Sequence, residues 1–232
     1  MPAEPDSLAA LNARIVGCEL CPRLRAHCAE IARTRKRAFA DQEYWGRPVP
    51  SFGDPQAPIL VLGLAPGAHG SNRTGRIFTG DGSGAFLYPA LHETGFANQP
   101  RTVSRDDGMR LTGVWIGAVV RCAPPANKPT PEEQRNCAPW LDREIRLLPN
   151  LRVVVALGKI AFDGFLAHQR RAGLIASRGP FVFRHAAEYA LPGGLTLLAS
   201  FHPSQQNTNT GKLTRPMFAA IFHRARQLAG LD

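Results

Sequence analysis

Four short apolar runs, at residues 59–64, 114–120, 152–157 and 195–201, constrain the fold of this chain more than any other feature. Val, Leu and Ile dominate them, and none alternates strictly between apolar and polar residues. A strand with one wet face alternates; an unbroken run of this length fits a strand covered on both faces. Between the runs lie segments with helical character at 85–93, 131–148 and 160–168, followed by one at 215–228. The stretch 7–37 is mostly helical as well, with an interruption at Pro22, whereas 44–58 is rich in Pro and Gly and reads as irregular. Thr130-Pro131-Glu132-Glu133 marks a helix start, with Thr as cap, Pro in the first turn and acids following. Strands alternating with helices predict one doubly wound α/β domain spanning residues 1–232, with a mainly parallel sheet. Ligands of such folds sit beyond the carboxyl ends of the strands.

Charge narrows the partner. Twenty-eight Lys and Arg against eighteen Asp and Glu leave a net charge of +10, which points to a polyanion, either nucleic acid or a membrane surface. With 44% hydrophobic and only 20% charged residues the chain is not disordered. Met1-Pro2-Ala3-Glu4-Pro5-Asp6 carries two acids and no apolar core, unlike a secretory leader, and no apolar run could span a bilayer. A cytoplasmic protein is expected.

Three of the four runs lead into unusual loops. The first continues as Gly63-Leu64-Ala65-Pro66-Gly67-Ala68-His69-Gly70 and Asn72-Arg73-Thr74-Gly75-Arg76, then Phe78-Thr79-Gly80-Asp81. Small residues expose backbone N–H groups and let a ligand approach closely. The segment matches neither a dinucleotide-binding nor a P-loop pattern, which weakens nucleotide-cofactor readings. The second loop, Arg121 to Pro129, is stiffened by prolines and contains Asn127. That amide could read a base edge or could equally be a turn residue. The third opens with His202-Pro203 and stays polar for ten positions, which suits contact with nucleic acid. His69, His92, His168, His185 and His223 have no comparable setting and read as structural or surface groups.

Five cysteines in a reducing compartment argue for metal or catalysis rather than disulfides. Cys18-x₂-Cys21 together with Cys122 and Cys137 could hold tetrahedral zinc or a [4Fe–4S] cluster. A zinc ribbon prefers a second C-x₂-C pair, so the wide second spacing tilts toward iron–sulfur. Cys28 is left over and reads as simply buried.

Taken together, these motifs resemble the family 5 (type b) uracil-DNA glycosylases, and the likeness runs from about Cys18 to the final helix. The resemblance implies a three-layer α/β/α sandwich with a four-stranded, mainly parallel sheet, and excision of uracil and related deaminated bases such as hypoxanthine and xanthine. It implies a structural [4Fe–4S] cluster on Cys18, Cys21, Cys122 and Cys137, and a monomer acting on double-stranded and single-stranded DNA. Substrate binding falls to Gly63, Ala65, Pro66 and Gly67, to Phe78 as the stacking platform, to Asn127, and to Asn207 on a loop that wedges the duplex. His202 would hydrogen-bond the base carbonyl. Ala68 stands where many glycosylases of the superfamily place Asp or Asn to position water, so Asp81 is the carboxylate expected to act with His202. Arg73, Arg76, Arg121, Lys128, Lys212 and Arg215, on or beside these loops, would form part of a DNA-binding face, with the basic run 33–37 lying elsewhere.

Overall fold

The computed structural model describes residues 7–231. The four apolar runs become the strands β2 (Ile59–Gly63), β3 (Val114–Ala118), β4 (Val153–Leu157) and β6 (Leu195–Ser200). They pair in parallel in the order β3-β2-β4-β6, with Val61 opposite Ile116 on one side and Val155 on the other. The sheet has six strands rather than the four expected. Antiparallel edges are added by β1 (Phe52–Gly53), beside β3, and β5 (Glu188–Leu191), beside β6. Both escaped the apolar signal because one is two residues long and the other is largely solvated.

Every residue of β2, β3 and β4 is buried, and alternation sorts their side chains between two cores. Leu60, Leu62, Val154 and Ala156 face the helices α1 (Leu8–Val16), α2 (Pro22–Thr34), α5 (Pro131–Arg146) and α6 (Lys159–Arg171). Ile59, Val61, Val153 and Val155 face α4 (Gly82–Glu93) and α8 (Arg215–Ala229). A fully buried Val, Leu or Ile contributes about 1.5–3 kcal/mol, so unbroken runs covered on both faces carry much of the fold's stability. The result is the expected α/β/α sandwich.

Thr130 caps α5 in a complete capping box with Glu133. Pro22 opens α2 at its first turn rather than breaking a helix, and residues 17–21 form the joint that carries Cys18 and Cys21. Among the described residues no helix is long and apolar enough to cross a membrane.

Candidate active site

The loops leaving β2, β3, β4 and β6 gather at the carboxyl edge of the sheet. The first is held in shape by a carboxylate. Asp81 caps α4, its Oδ1 accepting from Gly84 N at 3.0 Å. Its Oδ2 lies against the turn at Gly67 and Gly70, where a Cβ on Gly67 would approach to 2.8 Å and one on Gly70 would collide. Those two glycines are therefore what lets the carboxylate sit over the loop. The half-buried Asp81 has a raised pKa, because burial disfavours its charge more than the Gly84 and Ser83 N–H groups and Arg73 favour it.

Phe78 is buried and held at φ 52°, a left-handed conformation uncommon for a non-glycine residue. Its ring lies over the end of β2, and a Cβ on Gly63 would meet the ring at 2.8 Å. The ring centroid is 6.1 Å from that of His202, tilted by 33°. His202 follows β6 directly. Gly158, at φ 95° after β4, leaves room for it: a Cβ there would lie 3.1 Å from the histidine Cβ. Among the described residues the ring nitrogens of His202 have no hydrogen-bond partner. Burial lowers its pKa to about 4, so the imidazole is neutral at neutral pH and one ring nitrogen carries a hydrogen to donate.

The structure gives several expected site residues definite local surroundings. Asn207 has a local partner. It sits in the short helix α7 (Gln205–Asn209), capped by Ser204, and its amide donates to the His202 carbonyl at 2.9 Å. It positions the histidine. Asn127 is exposed on the turn after β3, and it and Ala126 are both left-handed, at φ 56° and 52°. Among the described residues the Asn127 side chain makes no hydrogen bond to Phe78 or His202. Pro66 is buried, Ala65 packs on the α1–α2–α5–α6 core, and Gly67 O accepts from Asn72 N at 3.0 Å. Gln205, which nothing in the sequence singled out, packs against Gly82, where a Cβ would meet it at 3.0 Å. This contact joins the Asp81 and His202 loops.

Three of the six cations expected on the DNA face point inward. Arg73 is buried and donates to the carbonyls of His69 and Gly80 at 2.8 and 2.7 Å. Arg76 pairs with Asp107 at 2.6 Å, and Arg121 with Glu144 at 2.6 Å. They shape the loops instead of meeting phosphate. Lys128, Lys212 and Arg215 are exposed. The basic run 33–37, expected elsewhere, abuts the first loop: Lys36 N donates to the Tyr44 hydroxyl, which lies 3.1 Å from His69 Nδ1.

Cys18, Cys21, Cys122 and Cys137 line one pocket between the α1–α2 joint and α5. Trp140 and Arg121 line it too, and the Trp140 Nε1 and Arg121 Nε donors are buried without a hydrogen-bond partner. The Arg121 backbone N–H donates to Cys137 Sγ at 3.3 Å. Such a surround of orphaned donors suits an acceptor-rich sulfur group. Among the described residues no three His, Cys, Asp or Glu side chains are arranged to hold a single metal ion. Cys28 is buried, as expected, and its thiol donates to the Ala123 carbonyl at 3.6 Å. The i,i+3 spacing of Cys137 and Trp140 on α5 was a signal that could have linked the two.

The titrations of Asp81 and His202 set a pH dependence. If ionised Asp81 and neutral His202 are both needed, the single-turnover rate holds across neutral pH. It then falls as acid protonates them, Asp81 at a higher pH than an exposed aspartate. A pH–rate profile checks this, and a rate unchanged down to about pH 4 would overturn the role of the ionised carboxylate.

Comparison with known proteins places this geometry. The family model described as the uracil DNA glycosylase superfamily matches residues 50–226. The chain is 59% identical over 217 residues to the type-5 uracil-DNA glycosylase of Thermus thermophilus, covering 94% of this chain and 96% of that one. It is 49% identical over 227 residues to the type-5 uracil-DNA glycosylase of Mycobacterium tuberculosis, covering 97% and 83%. Identity to a type-4 uracil-DNA glycosylase of Thermotoga maritima is 33% over 175 residues, covering 75% and 79%. With its parallel sheet, its Asp81-capped loop and its His202 loop, the chain belongs to the uracil DNA glycosylase superfamily, within the type-5 group.

Proposed function

We propose that the protein excises uracil from DNA by hydrolysing its N-glycosidic bond, leaving an abasic site for base-excision repair. The observation that carries this reading is the half-buried His202, with unpartnered ring nitrogens, beside Phe78, its imidazole kept neutral by desolvation. A base within a duplex is out of reach, so the nucleotide must be extruded, at a cost of a few kcal/mol that is lower for mispaired uracil. Phe78 supplies an aromatic face for the base. Cleavage from C1′ to N1 builds negative charge on the leaving base and positive charge on the sugar. His202 donates its N–H to the base carbonyl and stabilises the anion as an oxyanion hole does. Ionised Asp81 stabilises the cationic sugar or orients the attacking water. The small side chains at and around Ala68 support extending the reading to the deaminated purines hypoxanthine and xanthine.

The cysteine pocket is read as the seat of a structural [4Fe–4S] cluster on Cys18, Cys21, Cys122 and Cys137. What supports it is the shared pocket and the orphaned Trp140 and Arg121 donors, since hydrogen bonds to sulfur are among the features that tune such clusters. When bound, the cluster ties the α1–α2 joint to α5 and takes no part in glycosidic cleavage. Loading displaces thiol protons, against a Cys137 pKa that burial pushes up to about 12.

Duplexes carrying U, hypoxanthine or xanthine, incubated with the protein and then cleaved at abasic sites with alkali, test the activity. Strand cleavage at U is expected, and DNA binding with no abasic product would overturn the reading. Iron and acid-labile sulfide are expected in the purified protein and absent from Cys137→Ser. Stoichiometric zinc in their place would overturn the cluster.

A further inference from the structure

Helices α5 and α6 run side by side away from the active-site face and leave a groove of about 580 Å³ between them. At its upper end lie Lys128, from the Asn127 loop, and Ile160, two residues after Gly158. From there it descends past Arg135 to Arg171 and Arg178, and a second hollow beside Arg170 continues it. Because α6 is 13 residues long, the path covers about 20 Å. All five cations are exposed. Arg135, Arg170 and Arg178 make no ion pair among the described residues, while the one acid in the lining, Asp163, is already paired with Lys159.

A groove that is basic along its length and opens onto the catalytic face fits a chain of phosphates. Because α5 and α6 are in contact, the space between them is a surface furrow rather than a wide cleft, which suits one strand lying along it better than a duplex. The 41%-exposed Ile160 offers an apolar contact for an unstacked base. We propose that this groove is a track for single-stranded DNA, holding the strand on one side of the extruded nucleotide as it leaves the active site. The track deepens the glycosylase reading and rests on it: the protein would engage uracil in single-stranded DNA over more nucleotides than the active site covers.

The triple variant Arg135→Ala/Arg170→Ala/Arg178→Ala tests it by fluorescence anisotropy. The probes are single strands of about seven nucleotides centred on a tetrahydrofuran abasic analogue, extended by about ten on the 5′ or the 3′ side. One of the two extensions is expected to tighten wild-type binding at least about tenfold, and the variant loses that gain. Its log–log salt slope on that extended strand falls by about two, at roughly 0.7 per cation removed. Affinity for the seven-nucleotide probe is unchanged. Equal affinity of wild type and variant for both extended strands would overturn the track, as would an equal loss on the short probe. Excision of uracil from a seven-nucleotide substrate reports separately on the glycosylase reading and is expected to be the same for both proteins.

Discussion

His202→Ala is expected to slow single-turnover excision of uracil roughly 10²–10³-fold, the loss that follows removal of one donor from an oxyanion-type site. The effect is large because the ring is desolvated. A hydrogen bond to developing negative charge gains more in such a site than in water, and the donor is already in place when the bond breaks. Folding is expected to survive, since the ring makes no hydrogen bond among the described residues and its loop is held by Asn207 and Pro203. Asp81→Asn is the companion variant. Asn caps a helix as well as Asp does, so α4 keeps its N-terminus while the charge is lost, which separates the two roles of this residue. A loss of at least about tenfold is expected for it. Rapid-quench kinetics at saturating enzyme, with affinity for an abasic analogue measured alongside, checks both. Wild-type rates in both variants would overturn the assignment of roles.

Glu144→Ala is expected to lower stability by roughly 3–5 kcal/mol, the usual cost of stripping one partner from a buried ion pair. Glu144 is fully enclosed, and it accepts from Arg121 Nη2 at 2.6 Å and from Trp115 Nε1 at 3.0 Å. Without it the Arg121 guanidinium, itself 2% exposed, keeps only the Ser51 hydroxyl among the described residues. A domain stable by about 5–15 kcal/mol can scarcely absorb that. The damage would spread to the cysteine pocket, because Arg121 precedes Cys122 and its backbone N–H bonds Cys137. Urea unfolding of the purified variant measures the loss. The double variant Arg121→Met/Glu144→Leu is expected to recover much of it, since an apolar pair leaves no buried charge uncompensated. A single variant as stable as wild type would show that the pair does not hold this region.

The Asn207 contact bears on how the third loop is held. Its amide straps the His202 carbonyl, so the polar run after His202 helps to order the histidine. Arg73 and Arg76 make a parallel case. Beside a glycine-rich loop in a basic chain they read as phosphate contacts, yet they serve as internal braces.

Sequence by itself determined the parallel sheet, the helix start at Thr130, the four cysteines and the two loops bearing Asp81 and His202. Those features are local: burial on both faces writes an unbroken apolar run, a cap writes Thr-Pro-Glu-Glu, and a close approach writes glycine. Tertiary structure alone decided the rest. It placed β1 and β5 on the edges, turned Arg73, Arg76 and Arg121 inward, put Asn207 behind His202 and left Trp140 Nε1 orphaned beside the thiols. The physical reason is that a charged or polar side chain carries no local mark of its partner. Whether an arginine meets phosphate or a carboxylate such as Glu144, 23 residues away along the chain, depends on which surfaces the packed layers bring together.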